Sequence, residues 1–262
     1  MEGVAGISVW DQVNGGSPQY EEGRRLYTGE INAAVRACKR AGAKRIVVVD
    51  GHGAGGQWSF KSLIPDALES GAEYVFSLRW CRHIEPFQSG CDAVLLVGAH
   101  AMAGTPDGVL CHTVSTEGWH NAWINGTLVG ESGFIAALAG HWGAPIVFVS
   151  GDEATCKEVT DLLGSKVATA PVKKALHRYA ISTLNHADAC EMIESRAYEA
   201  LTKRDFPPAW RLPAPVEVRV EITNPDKAAY FLRKPGVTQE GRCVVAKGES
   251  FWQVWDNFWW ET

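Results

Sequence analysis

The sequence predicts an α/β protein of three layers, with a mostly parallel or mixed sheet covered by helices on both faces. Three observations lead there. RIVVVD (45–50), DAVLLVGAHA (92–101) and APIVFVSGDE (144–153) are short apolar runs that each end in small and polar residues, as strands buried on both faces do where they feed a loop. Segments with helical spacing alternate with them, and strand, helix, strand at these lengths is the pattern of βαβ units. With 262 residues, 46% of them hydrophobic, the chain is long enough to bury a sizeable core.

The first element, YEEGRRLYTGEINAAVRACKRA (20–41), places apolar residues near helical spacing and has the glycine of AGAK just past its end, a stop signal. RIVVVD then runs into the glycine-rich GHGAGG. Between the second and third strands, GESGFIAALAGHWG from Gly130 predicts a helix that packs through small residues and stops at Gly143. TCKEVTDLL and NHADACEMIESRAYEALTKRD (185–205) predict two more helices, and PPAWRLPAP marks a connection. VEVRVEI (216–222) alternates apolar and charged residues, as a half-exposed strand does. The change of character places a subdomain boundary near residue 166, with an α/β part at 1–165 and a smaller α+β part at 166–262, inside one compact domain.

The tail FWQVWDNFWW carries aromatics at Phe251, Trp252, Trp255, Phe258 and Trp259, close to a helical stripe. A core or subunit contact is expected, because large aromatics dominate such burial. A membrane-surface helix wants a basic polar face, whereas this one has Asp256 and Glu261.

Charge and cysteine usage exclude several classes of function. Twenty-five basic against 30 acidic side chains give a formal charge of −5, and no Lys/Arg block is dense enough to follow a run of phosphates, so nucleic acid is not an expected partner. No stretch of 18 apolar residues and no signal-peptide pattern is present, and a cytoplasmic location is expected. The seven cysteines are scattered without a CxxC pair, which argues against a disulfide framework and against a thiolate zinc site.

In open parallel sheets ligands bind beyond the carboxyl ends of the strands, and here those positions hold histidines. His52 follows the strand ending at Asp50, His100 closes the strand through Val97, His112 lies in GVLCHT, and Glu131 opens the helix that leads to the third strand. Imidazole and carboxylate without thiolate suit a catalytic zinc or a similar divalent ion, and from spacing alone the expectation is a metal-assisted hydrolase. GHGAGGQW has neither the Lys-Ser/Thr ending nor the spacing of a phosphate loop. Cys111 is a poor nucleophile candidate, since on an extended segment it and His112 point to opposite faces.

In order, EGVAG, YEEGRRLYTGEINAAV, DGHG, GAHAMAGTPDGVLCHT, NGTLVGESG, APIVFVSGDE and ATAPVKKA resemble the zinc-dependent D-aminopeptidases of the dipeptide-transport-operon type, peptidase family M55. Each motif alone is weak, and the ordered set, which spans nearly the whole chain, is specific. The resemblance implies metal ligands at Glu2, His52, His100 and Glu131, a pair of zinc ions in an intact site, and a catalytic role for His112. It also implies hydrolysis of short peptides, with a D-residue at the amino end, by a large self-compartmentalising homo-oligomer, a ring such as a decamer. In the family's D-x-E-G motif an aspartate stands two residues before the glutamate, at the end of the first strand. Here both would precede Met1, as expected if the start is placed too late or the chain is shortened, with a late start favoured, or else if the ligand is lost, in which case Asp11 and Asp50 are the nearest substitute ligands. Asp50 also has a plain role as a loop acceptor.

Asn125 in INGTLVGE either presents its amide to the substrate or is a turn residue. His120, His141, His177 and His186 are taken as structural. Two rival readings stay open: a creatininase-like amidohydrolase, which DGHGAGG also resembles, and a metal-binding or peptide-binding oligomer that lacks the bridging aspartate.

Overall fold

The structure, a computed structural model, describes residues 1–77 and 84–259; Cys81 and Glu261 lie outside them. Helix α1 (Tyr20–Arg40) has Glu21 and Glu22 in its first turn and Lys39 and Arg40 in its last, so its charges oppose the helix dipole at both ends. The short strands β1 (Val47–Val49) and β2 (Glu73–Val75) pair in parallel, and a single turn, α2 (Glu85–Gln88), leads on to β3 (Val94–Ala99). Strands β4 (Trp119–Ile124) and β5 (Thr127–Leu128) form a hairpin before α3 (Glu131–His141). Then come β6 (Ile146–Asp152), α4 (Glu153–Leu163), β7 (Ala168–His177), β8 (Ala180–Thr183) and α5 (His186–Lys203). The chain ends in β9 (Val216–Ile222), α6 (Pro225–Phe231), β10 (Val237–Glu240), β11 (Cys243–Gly248) and α7 (Phe251–Trp259).

The central sheet runs in the order β3-β6-β7-β8, parallel except for the antiparallel edge strand β8. All seven residues of β6 are buried, which requires cover on both faces. Ala33, Ala34 and Ala37 of α1 and Ala189, Ile193 and Ala197 of α5 supply one cover. Ala136 and Ala139 of α3 and Val159 of α4 supply the other. This is the expected three-layer α/β arrangement.

A second sheet, β10-β11-β9-β4-β5, is wholly antiparallel and corrects the division expected near residue 166. Strands β4 and β5 precede that point yet pair with the C-terminal strands, whereas β7 and β8 follow it yet complete the central sheet. The composition shift marks no boundary because strand partners are chosen across the fold, not along the chain. Helix α3 lies between the two sheets and is apolar on every side, with Phe134, Ala137 and Leu138 turned to the second core. Its small residues allow close approach: a Cβ on Gly140 would lie 2.1 Å from the Trp210 carbonyl oxygen.

The tail is core. Phe251, Val254, Trp255 and Phe258 of α7 are buried, Trp255 stacks on Phe134 at 4.9 Å, and Phe258 meets the edge of Trp119 at 5.5 Å. Six cysteines among the described residues are free, two buried and four half-buried. Among the described residues no helix is long and apolar enough to cross a membrane.

Candidate metal centre

Each candidate ligand sits in a loop beside a strand or at the start of a helix, His52 after a strand of the separate two-stranded sheet β1-β2. Glu2 belongs to a tight loop that docks on β3, where the Gly3 N–H donates to the Gly98 carbonyl at 3.1 Å. Only glycine fits at position 3, since a Cβ would fall 1.7 Å from the Ala99 carbonyl oxygen; this backbone contact brings Glu2 beside the loop of His100. His52 follows β1, His100 follows β3, and Glu131 is the first residue of α3.

The side chains converge. His52 Nε2 lies 3.2 Å from Glu2 Oε1. Glu131 Oε1 lies 3.3 Å from His100 Nε2 and 3.5 Å from His112 Nε2, and the rings of His100 and His112 stack at 4.0 Å. In all three imidazoles the other ring nitrogen is already engaged. His52 Nδ1 is 2.7 Å from Ser62 Oγ, which also accepts from the Tyr20 hydroxyl. His100 Nδ1 faces the Ala101 carbonyl at 3.1 Å and His112 Nδ1 the Leu110 carbonyl at 2.8 Å. The two carbonyl contacts put a proton on Nδ1 of His100 and His112, and in all three rings Nε2 is the nitrogen left facing the neighbouring carboxylate.

The charge state follows from the packing. Burial disfavours charge on both members of the His100–Glu131 pair, but their mutual attraction wins: His100 is raised to about 9 and Glu131 lowered to about 2. His112 is pushed down, first by burial and then by the charge on His100, with Glu131 opposing. Glu2 is held well below the usual carboxylate range, because the Met1 ammonium and His52 outweigh the effect of burial.

Three imidazole nitrogens and two carboxylates, with no thiolate, are the donor set of a catalytic zinc site. The ligating atoms of His100, His112 and Glu131 all lie within 4.8 Å of one another. The residues therefore fit the metal that the donor chemistry suggests.

Beneath the centre lies a set of carboxylates that sequence reasoning missed. Each accepts a backbone N–H from one ligand-bearing loop. Glu30 Oε1 takes Ala5 N at 2.8 Å, Glu158 Oε2 takes Met102 N at 2.7 Å, and Asp152 Oδ2 takes Val109 N at 2.8 Å while its other oxygen caps α4 through Thr155. Asp50 accepts from His52 N and Leu63 N, which is the loop-acceptor role and not that of a substitute ligand. Asp11 is exposed in a short 3₁₀ turn. The helix-capping position of Asp152, a strand-end acid before a helix, was a signal available in the sequence; Glu30 and Glu158 gave none.

Asn125 is exposed at the β4–β5 turn with φ +46°. Its amide donates to the Pro213 carbonyl at 3.1 Å and accepts from Glu217 N at 2.7 Å, so both ends are spent on backbone. The turn alternative is the one these bonds support.

A profile of the D-aminopeptidase family, peptidase family M55, matches residues 1–259. The chain is 30% identical over 237 residues to a D-aminopeptidase of Bacillus subtilis (strain 168), covering 90% of this chain and 84% of that protein. Its fold is similar to that of the zinc-dependent D-aminopeptidase DppA from Bacillus subtilis, a self-compartmentalizing protease, with a TM-score of 0.87, 26% identity, and coverage of 98% of this chain and 92% of the other. With the family matched from the first residue to the last helix, this chain belongs to the M55 D-aminopeptidases.

Proposed function

We propose that the protein uses zinc held by Glu2, His52, His100 and Glu131 to remove an amino-terminal D-residue from short peptides, with His112 as the proton carrier. The observation that carries this reading is the pairing of Glu2 with His52 and the meeting of Glu131 with His100 and His112 in a D-aminopeptidase fold. The ligands form two groups, Glu2 with His52 and Glu131 with His100, which supports a pair of ions over a single one. Zinc would supply polarisation of the scissile carbonyl and activation of water at neutral pH.

The chain's own residues do the rest. His112 has its Nδ1–H committed to Leu110 O, so Nε2 is the atom that takes a proton from the attacking water and returns it to the departing amine. Its lowered pKa keeps it unprotonated and ready as a base near neutrality. Trp10 stands edge-on to the His112 ring at 5.5 Å and shields one side of it from water. The carboxylates of the centre attract the free amino group of a peptide, which favours exopeptidase over endopeptidase action. The self-compartmentalizing character of DppA extends to this chain as a ring whose interior admits only short or unfolded peptides.

The test is hydrolysis of D-Ala-D-Ala, L-Ala-L-Ala and N-acetyl-D-Ala-D-Ala by the zinc-loaded protein, before and after a chelator. Turnover of the free D-dipeptide alone, lost with chelator and restored by zinc, is expected. Turnover of the acetylated peptide, or activity indifferent to chelator, would overturn the reading.

A further inference from the structure

Lys173 is the second residue of the stretch VKKA in β7, and it is 3% exposed. Burying an ammonium group costs several kcal/mol unless every proton finds an acceptor. Here all three do: Nζ donates to the carbonyls of Glu2, Val4 and Ile7 at 2.5, 2.9 and 2.7 Å. The loop from Glu2 to Ile7 thus curls around one nitrogen, and one of the carbonyls it holds is that of Glu2 itself. From the opposite side Glu30, fully buried, accepts Ala5 N, and its second carboxylate oxygen has no hydrogen-bond partner among the described residues. Burial pushes the Lys173 ammonium down to about 8, and the nearby carboxylates of Asp152, Glu30 and Glu2 offset part of that cost.

We propose that Lys173 is a positioning residue of the metal centre: its ammonium group holds the 2–7 loop in the one conformation that brings the Glu2 carboxylate to His52. With its three protons spent on backbone carbonyls, it has none left for a substrate or a leaving group, so it acts only through Glu2. A lysine suits this task better than an arginine, since three convergent carbonyls match a point-like ammonium and not a planar fork. The inference rests on the proposed role of Glu2 as a ligand.

The test is a double-mutant cycle in the full chain with Lys173→Met, Lys173→Arg and Glu2→Gln, reading zinc affinity by competition with a chromophoric chelator and melting temperature without metal. Lys173→Met is expected to weaken zinc binding about tenfold or more, the range seen when a group that orients a ligand is lost. In the Glu2→Gln background the same change should alter zinc affinity less than about twofold, because coupled residues do not add. If Lys173→Met does not fold, Lys173→Arg, which keeps the charge but not the three-way geometry, is read in the same cycle with the same expectation. Equal losses in both backgrounds, or a lowered melting temperature with unchanged zinc affinity, would reduce Lys173 to a purely structural role and overturn the proposal. Failure of the unaltered chain to bind zinc would overturn the metal reading itself, and this inference with it.

Discussion

Zinc uptake by this protein should be strongly pH-dependent, because His100 and Glu131 form a buried ion pair. His100 can serve as a ligand only after losing a proton, and Glu131 holds that proton on with a pKa of about 9. One site in about a hundred is deprotonated at pH 7 and about half at pH 9, so the apparent zinc affinity should rise about fiftyfold over that interval and level off above it. His112, with its lowered pKa, adds nothing to this slope. Stability of the metal-free protein should move the other way. The folded pKa of His100 lies above its unfolded value of about 6.5 and that of Glu131 below its unfolded value of about 4.3, so the pair's contribution is complete between about pH 4.3 and 6.5 and is lost as pH rises through 9. Calorimetric titration in two buffers of different ionisation enthalpy, with competition by a chelator of known pKa, measures both affinity and protons released. Affinity that changes less than about threefold between pH 7 and 9, with no proton released, would refute the His100–Glu131 ion pair.

Three other outcomes are expected. Asn125→Ala should cost about 1–2 kcal/mol in urea unfolding, since two bonds to backbone are lost, while kcat/KM for D-Ala-D-Ala stays within twofold; a large fall in activity at unchanged stability would restore a substrate role. Asp152→Ala should cost about 3 kcal/mol, because the Val109 and Thr155 amides lose their acceptor and Lys173 loses a compensating charge, again read by urea unfolding. Ser62→Ala removes the partner of His52 Nδ1 and should weaken zinc binding about tenfold, measured by chelator competition, and should also cost about 1–3 kcal/mol of stability, because the buried Tyr20 hydroxyl loses its acceptor.

The central layer was legible in the chain because its signals are local. A β-branched run ending in polar residues identified the strand before His100 and the one ending at Asp152, whereas the run before His52 is β1, which pairs only with β2 and leaves Val49 exposed; the apolar alternation of VEVRVEI matches the alternate burial of β9. The candidate histidines could be picked out because strand ends in such a sheet are where a site forms. The second sheet was not, since β4 and β5 are separated from β9 by some ninety residues and only their pairing reveals them. Lys173 and Glu30 were equally hidden. Each is a charged residue in an ordinary-looking strand or helix, and only the fold shows that the loop bearing Glu2 closes over them.

The proposed mechanism separates the role of His112 from that of the residues that would hold the metal. The most direct measurement is zinc content and D-Ala-D-Ala turnover of His112→Ala beside the unaltered protein. Zinc content should be unchanged and kcat lower by about 10²–10⁴-fold, the usual worth of a general acid/base, with KM little altered. Zinc lost in parallel with activity would make His112 a ligand, and activity retained with zinc in place would remove it from the chemistry altogether.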